Sequence, residues 1–426
     1  MPHTDLVQLV PQTMIVLVLI IVATKFGGEV MIRLGQPPVL GELVMGIAMG
    51  NLNLFGITLL DPLKTSSPLA ILAEIGAILL LFEVGVDSDL SQLLAVGWSS
   101  LLVAALGVVV PMVLGYSVSL WLMPAASWLS HLFVAGTLTA TSVGITARVL
   151  KDLGLSNTKE ARIILGAAVV DDVIGLVVLA VITGLVTAAA AGSGARSVSG
   201  AAVLWIVAKA CGFLAMAVIG GRFWSQRAFL YAARLKTSGA LLALCVCFCF
   251  VVASLAAWAG LAPIVGAFAA GVVLEEVHYK PFVQRGERKV GELLFPLTTL
   301  VVPVFFVLMG LRVDLRGFAS PPVLGFAALI SVAAVAGKQI CALGVVERGV
   351  NRLAIGVGMI PRGEVGLIFA GLGGTLMLEG RPVLSQTTFA ALVLMVMLTT
   401  FVTPPLLKAA FQRKGQNRLT SIPAMK

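Results

Sequence analysis

Long apolar runs separated by short polar connections extend through the chain to about residue 408. Thirteen runs are long enough to cross a bilayer as a helix, or to form half of an interrupted crossing. Their approximate limits are 7–33, 37–51, 67–86, 93–123, 130–150, 160–187, 200–221, 238–258, 261–276, 291–311, 321–345, 351–375 and 385–408. The pattern predicts an all-α polytopic membrane protein with thirteen transmembrane helices.

Composition leads to the same class. The chain is 59% hydrophobic and only 12% charged, whereas a soluble domain carries about 25% charged residues. The first residues contain no basic stretch, so we expect no cleavable signal peptide. His3, His131 and His278 lie in end regions or loops, so we expect no relay of imidazoles through the membrane.

Basic residues are divided unequally between the two sets of loops. With the C-terminus in the cytoplasm, 21 of the 29 Lys and Arg residues lie on the cytoplasmic side and five on the other. The positive-inside rule therefore predicts an external N-terminus and a cytoplasmic C-terminus. The net charge of +9 is then explained by topology and by contact with anionic lipids at the cytoplasmic face, and nucleic acid is not an expected partner.

The two halves of the chain repeat one another. Several residues of the second and third runs recur at an offset of 225, and they are Pro38, Gly41, Gly46, Gly85 and Asp89. In the fifth and twelfth runs, residues 143–145 match residues 365–367 at an offset of 222. Runs two to six therefore repeat as runs nine to thirteen. Equivalent runs are seven apart, and because seven is odd, the two copies cross the membrane in opposite directions. Two inverted five-helix repeats are typical of alternating-access transporters.

Two adjacent carboxylates, Asp171 and Asp172, stand alone in the apolar run 163–186. By insertion scales, one Asp at the centre of a spanning helix costs roughly 2.5–3.5 kcal/mol. Such residues are by default candidates for function. Because neighbours on a helix point about 100° apart, the two side chains are expected to face different partners.

Two runs carry signals for an interrupted helix. The fifth contains a cluster of hydroxyl side chains that includes Thr141 and Ser142, and the twelfth contains Pro361, Arg362, Gly363 and Glu364. Broken spans at matching places in inverted halves indicate a binding site, where the charges of Arg362 and Glu364 can offset the partial charges of helix ends. The alternative is that Arg362 and Glu364 pair near one membrane surface.

Lys338 lies inside the eleventh run, ten residues before Arg348, which places it about 15 Å from the cytoplasmic end. A buried ammonium needs a partner, and the candidate carboxylates are Asp171, Asp172 and Glu364. The alternative is that Lys338 extends to the interface.

These motifs together resemble a known family. They are Ala-Thr-Ser-Val-Gly-Ile-Thr-Ala, Val-Val-Asp-Asp-Val-Ile-Gly-Leu, Gly-Lys-Gln and Pro-Arg-Gly-Glu-Val-Gly-Leu-Ile. The chain is similar over its whole transmembrane length to bacterial sodium/proton antiporters of the second monovalent cation:proton antiporter family. Paired Asp residues with a Lys are typical of the electrogenic members of that family.

The resemblance implies a homodimer in the bacterial inner membrane, with an elevator-type mechanism, crossed broken helices and a role in pH homeostasis. It implies no cofactor beyond the transported Na+ and protons. It also implies a division into domains. The dimerisation domain would comprise 1–90 and 226–318, the core transport domain 91–190 and 319–412, a linker helix 191–225, and a cytoplasmic tail 413–426.

For the site, the resemblance implies that Asp172 binds the cation and the proton alternately, that Asp171 pairs with Lys338, and that Thr141 and Ser142 lie beside the ion. Sodium is a hard cation that takes oxygen ligands, which these side chains and freed carbonyls supply. Our hypothesis is that sodium binding ionises Asp172 and releases Lys338, which loses its proton. Two protons would then exchange for one Na+ (or Li+), and the Asp171–Lys338 pair would titrate as a coupled unit.

Other classes fit less well. An intramembrane aspartyl protease would place its two Asp on different helices, and a channel would require filter rings or fourfold symmetry. A sodium-coupled symporter for organic anions has no evident need of Lys338. A K+/H+ exchanger of the same family remains the alternative that sequence separates least well.

Overall fold

The computed structural model describes residues 3–87, 97–155, 158–190, 200–232, 239–274, 288–316 and 321–419. Within these ranges the chain forms fifteen α-helices and one antiparallel hairpin. The helices are α1 (His3–Arg33), α2 (Pro38–Gly50), α3 (Ser67–Asp87), α4 (Trp98–Leu122), α5 (Trp128–Thr137), α6 (Val143–Asp152), α7 (Lys159–Ala188), α8 (Gly200–Ala232), α9 (Ala240–Trp258), α10 (Pro263–Val273), α11 (Val290–Leu311), α12 (Pro321–Cys341), α13 (Arg352–Gly358), α14 (Glu364–Thr375) and α15 (Gln386–Leu419). The hairpin pairs β1 (Met377–Leu378) with β2 (Arg381–Pro382).

Nine helices in the described ranges are long and apolar enough to cross a membrane. They are α1, α3, α4, α7, α8, α9, α11, α12 and α15. The apolar helices α2, α10 and α14 are shorter. The fifth and twelfth predicted runs each appear as two short helices, α5 with α6 and α13 with α14.

The helices group into two compact units. Unit one comprises Met1–Leu90, Thr183–Thr187 and Val198–Leu315, and it contains α1–α3 and α8–α11. Unit two comprises Ser91–Ile182, Ala188–Ser197 and Arg316–Lys426. It contains α4–α6, most of α7, α12–α15 and the hairpin.

Close helix contacts in unit one follow the sequence repeat. A Cβ added to Gly41 of α2 would overlap the backbone of Gly27 on α1. Likewise, a Cβ added to Gly266 of α10 would overlap the backbone of Val252 on α9. Gly27 and Val252 are 225 residues apart, and so are Gly41 and Gly266. The repeated packing thus includes α1 and α9, which the sequence comparison did not assign to the repeat.

A second set of contacts joins the two copies of the repeat within unit one. Gly46 of α2 packs against Gly310 of α11, and Gly271 of α10 packs against Gly85 of α3. Each of these four positions is too close to a neighbouring helix backbone to accept a Cβ. The repeat partner of Gly46 is Gly271, and that of Gly85 is Gly310, so the same contact is made twice with the halves exchanged. Asp89 of the predicted repeat lies outside the described residues.

In unit two, α4 packs closely against a glycine of α12 and against one in the turn that follows α12. A Cβ on Gly337 would lie 2.9 Å from Pro111, and one on Gly344 would lie 2.8 Å from the backbone at Leu102. Gly107 of α4 faces the ammonium of Lys338, since an added Cβ there would lie 3.2 Å from Nζ. These contacts hold Lys338 in the interior of the unit.

Candidate functional site

The first interruption separates α5 from α6 at residues 138–142. The hydroxyl of Thr137 donates to the carbonyl of Phe133 at 2.9 Å, and that of Thr139 donates to the carbonyl of Gly136 at 2.7 Å. Hydroxyls that bond to backbone carbonyls in this way weaken a helix. The threonine cluster therefore marks the end of α5, as the sequence predicted.

The second interruption separates α13 from α14 at residues 359–363. Pro361 has no N–H to continue the helix. Gly363 is the residue before α14. Only a glycine fits there, because an added Cβ would lie 2.5 Å from Ser142 Oγ. The predicted break therefore places a backbone without a side chain against the hydroxyl of Ser142.

The two interruptions contact each other directly. The amide of Ser142 donates to the carbonyl of Pro361 at 2.8 Å, and the hydroxyl of Thr146 donates to the carbonyl of Gly358 at 2.6 Å. Polar backbone groups freed by one break are thus satisfied by the other. Such mutual bonding makes interrupted helices tolerable inside an apolar protein, where each unsatisfied group would cost several kcal/mol.

Arg362 is fully buried and bonds to carbonyls. Its Nη1 donates to the carbonyl of Ala140 at 2.6 Å, and its Nη2 donates to the carbonyl of Ala334 at 3.4 Å. The carbonyl of Arg362 in turn accepts a hydrogen bond from the hydroxyl of Thr400. Arg362 therefore places a positive charge at the carboxyl end of α5, where the helix dipole is negative. The alternative of a surface pair does not fit its complete burial.

Lys338 and Asp171 form an ion pair in the interior of unit two. Their Nζ and Oδ2 atoms are 3.0 Å apart, and both side chains are fully buried. Lys338 Nζ also donates to the carbonyl of Thr139 at 2.7 Å. This burial excludes an extension of Lys338 to the interface. One ammonium thus joins α12 to α7 and to the first interruption.

Thr141 bonds to the carboxylate of the ion pair. Its hydroxyl donates to Asp171 Oδ2 at 2.5 Å. The first interruption brings residues 139–141 alongside the Lys338–Asp171 pair. The expected position of Thr141 beside the ion stays a prediction. Asp171 Oδ1 is buried and has no hydrogen-bond partner among the described residues.

Asp172 differs from Asp171 in exposure. Asp172 is 8% exposed, whereas Asp171 is completely buried. Ser142 and Thr141 are 3% and 2% exposed. Of the two residues, Asp172 is therefore the less deeply buried. Glu364 begins α14, and its side chain lies outside the described part of the structure.

An apolar cluster adjoins the pair along α7. Ala167 and Ala168, one turn before Asp171, are buried in this cluster together with Ile164 and with Ile360 of the second interruption. Within the described ranges, no group of three His, Cys, Asp or Glu side chains could hold a metal ion. The site thus consists of charged side chains and oxygen atoms where the two interruptions meet, and apolar side chains pack beside it.

Some members of the site were not predicted individually. The carbonyls of Thr139 and Ala140 accept from the two buried cations. Thr146 bonds to the carbonyl of Gly358, just before the second interruption, and Thr400 bonds to the carbonyl of Arg362 within it. Their only signal in the sequence was the presence of hydroxyl residues in apolar helices. Which carbonyl each cation binds depends on packing between residues about 200 positions apart.

The model of a family described as "Sodium/hydrogen exchanger, transmembrane" matches residues 15–413. The "High-affinity Na(+)/H(+) antiporter NhaS3" of Synechocystis sp. is 37% identical, with 93% of this chain and 89% of that protein covered. The "Na(+)/H(+)-K(+) antiporter GerN" of Bacillus cereus is 34% identical, with 93% and 96% covered.

Among solved structures, the sodium proton antiporter MjNhaP1 from Methanocaldococcus jannaschii at pH 8 is similar. The TM-score is 0.69 at 17% sequence identity, and the match covers 95% of this chain and 97% of that one. At this identity the likeness concerns the fold alone.

Proposed function

The chain belongs to the sodium/hydrogen exchanger family, and from this premise we propose that it exchanges Na+ (or Li+) for protons across a bacterial inner membrane. The family consists of secondary transporters, so the chain is a polytopic membrane transporter and not an enzyme. The resemblance to sodium/proton antiporters is thereby confirmed.

The observation that carries the site assignment is the buried Asp171–Lys338 pair next to Asp172, at the junction of two interrupted helices. Asp171 is already neutralised by Lys338, and it is sealed from water. Asp172 keeps 8% of its surface exposed. We therefore assign the exchange of Na+ and a proton to Asp172, because a carboxylate can hold only one of them at a time.

We assign the oxygen ligands of the cation to Asp172 and to the first interruption. Ser142 and Thr141 belong to the first interruption and are buried. Because the Thr141 hydroxyl donates its hydrogen to Asp171, its lone pairs stay available for a cation. Thr141 would then connect the ion site to the Asp171–Lys338 pair. This connection gives a physical route by which ion binding weakens the pair.

Arg362 and Glu364 act as charge-compensating residues in this proposal. Arg362 stays bound to the carbonyl of Ala140 throughout the cycle, since a guanidinium does not lose its proton. Glu364 offsets positive charge at the start of α14. Their role is to stabilise the interruptions and not to carry the ion.

The charge balance follows from the pair. Lys338 binds Asp171 in this structure, and we assign this pairing to the state in which Asp172 is protonated. When Na+ binds, Asp172 is ionised, Asp171 releases Lys338, and Lys338 loses its proton. Two protons therefore exchange for one Na+, and each cycle moves one net charge. A membrane potential contributes about 2.3 kcal/mol per charge per 100 mV to that movement.

Alternating access requires part of the protein to move. We propose thirteen spans in two inverted repeats, with the N-terminus outside and the C-terminus in the cytoplasm. Unit two, which holds the site, would be the moving transport domain of an elevator, and unit one would be the dimerisation domain. The glycine contacts repeated at the offset of 225 support the inverted symmetry.

The test is the cation dependence of proton movement in proteoliposomes that contain a pH-sensitive dye. Addition of Na+ should collapse an imposed pH gradient, and Asp172→Asn should abolish that response while the protein remains folded. A response equal to wild type in Asp172→Asn would overturn the assignment. A Na+ response without any organic solute excludes a symporter for organic anions.

Potassium is the second candidate cation, because one relative is named a Na(+)/H(+)-K(+) antiporter. The same dye assay with KCl in place of NaCl separates the two. A response to K+ equal to the response to Na+ would assign the chain to exchange of both ions.

A further inference from the structure

Unit one contains a cavity of about 630 Å³ between α8 and α9. Its walls are almost entirely apolar, and they include Phe213, Met216, Gly220, Leu244, Phe248 and Leu255. Two wall residues, Met216 and Val251, are 67% and 57% exposed, so the cavity is an open groove on the surface of the unit. On a helix that crosses a membrane, such a surface faces lipid or another apolar helix.

One end of the groove carries a lysine. Lys209 precedes Phe213 by four residues and therefore lies on the same face of α8. Its Nζ lies close to the turn after α9, since a Cβ added to Gly260 would be 3.5 Å away. The neighbouring Ala259 lines the groove. Within the described ranges, Lys209 has no hydrogen bond or ion pair.

Two tryptophans mark the depth of this lysine. Trp205 lies one turn before Lys209 and is 70% exposed, and Trp258 ends α9 and is 83% exposed. Exposed tryptophans are enriched where the hydrocarbon core meets the headgroups. The ammonium of Lys209 therefore sits near the headgroup boundary, and the groove runs from it into the hydrocarbon region.

The length of the groove suits an acyl chain. Phe213 and Phe229 are its outermost lining residues on α8, about 24 Å apart at the helical rise of 1.5 Å per residue. Half of a bilayer's hydrocarbon core is about 15 Å thick. A chain descending from the headgroup level thus has an apolar wall beside it along its whole length.

We propose that this groove binds one acyl chain of a membrane phospholipid whose phosphate pairs with Lys209. The phosphate supplies the counter-charge that Lys209 lacks among the described residues, and the acyl chain covers the apolar walls. A helix from a second copy of the chain could also cover the walls, but it would leave the ammonium without a counter-charge.

The test uses the full-length protein, purified in detergent, stripped of lipid and titrated with phosphatidylglycerol under native mass spectrometry. Lys209→Gln should weaken binding about fivefold, which corresponds to the roughly 1 kcal/mol that one lysine contributes near an anionic headgroup. Lys209→Arg keeps the charge and should bind as wild type does.

A second variant tests the apolar part independently. A Cβ added to Gly220 would meet no neighbouring helix within 4 Å, so Gly220→Leu introduces a side chain into the groove at a position with free space. This variant should lose the tightly bound lipid. Gly212→Leu, on the same helix and equally free of contacts but outside the groove lining, is the matched control and should retain it.

Equal lipid retention by wild type, Lys209→Gln and Gly220→Leu would overturn the proposal. It would also be overturned if Gly220→Leu dissociated an oligomer and left lipid binding unchanged, because a second copy would then occupy the groove.

Discussion

The buried ion pair permits a quantitative test by a double-mutant cycle. Lys338→Gln leaves the carboxylate of Asp171 without its counter-ion, and Asp171→Asn leaves the ammonium of Lys338 without its own. Both side chains are fully buried and their charged atoms are 3.0 Å apart. Each single variant should therefore lose about 3–5 kcal/mol of unfolding free energy, the usual cost of breaking a buried pair. The double variant leaves no unpaired charge, so it should be more stable than either single variant.

The interaction energy from this cycle should be at least about 2 kcal/mol. The control is the Lys64–Asp61 pair, whose atoms are 2.8 Å apart but whose side chains are 27% and 37% exposed. For that pair the same cycle should give less than about 1 kcal/mol. The assay is reversible unfolding in mixed micelles with increasing denaturing detergent. An interaction energy no larger for the buried pair than for the exposed pair would refute the reasoning.

Two glycine substitutions test the packing and the site. Gly46→Ala places a Cβ 2.5 Å from the carbonyl oxygen of Val307 and should lower the unfolding free energy by about 1–3 kcal/mol. The control is Gly212→Ala, whose Cβ meets no atom within 4 Å and should not lower it. Thermal unfolding in detergent distinguishes the two variants. Gly363→Ala displaces Ser142 Oγ and should raise the Na+ concentration for half-maximal exchange about tenfold, equivalent to roughly 1.4 kcal/mol, in the proteoliposome assay. Unchanged stability in Gly46→Ala would contradict the packing argument, and unchanged Na+ dependence in Gly363→Ala would remove Ser142 from the ion site.

The interruptions could be predicted from sequence because their causes are local. Pro361 removes a donor wherever it lies in a helix, and the Thr cluster around Thr139 competes for carbonyls within its own turn. The period of the apolar runs is also a local property, and it predicted the helical class. The apolar limits of the fifth and twelfth runs, however, did not show at which residue each of the two short helices ends.

Which side chains pair within the site depends on how helices distant in sequence pack together, and this packing cannot be read from neighbouring residues. The residues alone allowed Lys338 to pair with Asp171, Asp172 or Glu364, and only the resemblance to a family selected Asp171. The hydrogen bond between Thr141 and Asp171 was not predicted either. His131 was expected near a helix end, where it lies, but its burial against Ser119 at 2.8 Å depends on the packing of α4 on α5.

The inclusion of α1 and α9 in the repeat was hidden for a related reason. Gly27 packs against Gly41, while its counterpart Val252 packs against Gly266. A comparison of residue types finds no match between Gly27 and Val252. Their equivalence is visible only in the backbone contact, because Gly41 and Gly266 lack a side chain and let the backbones of Gly27 and Val252 approach closely.

The most direct test of the proposed exchange is sodium efflux under an imposed membrane potential. Proteoliposomes loaded with Na+, with equal pH on both sides, receive an inside-negative potential, and a trapped dye reports luminal pH. If two protons enter for each Na+ that leaves, the potential should accelerate both Na+ efflux and luminal acidification. Vesicles with Asp172→Asn should show neither. Sodium efflux and acidification that do not change with the potential would contradict the two-proton exchange built on Asp172 and the Asp171–Lys338 pair.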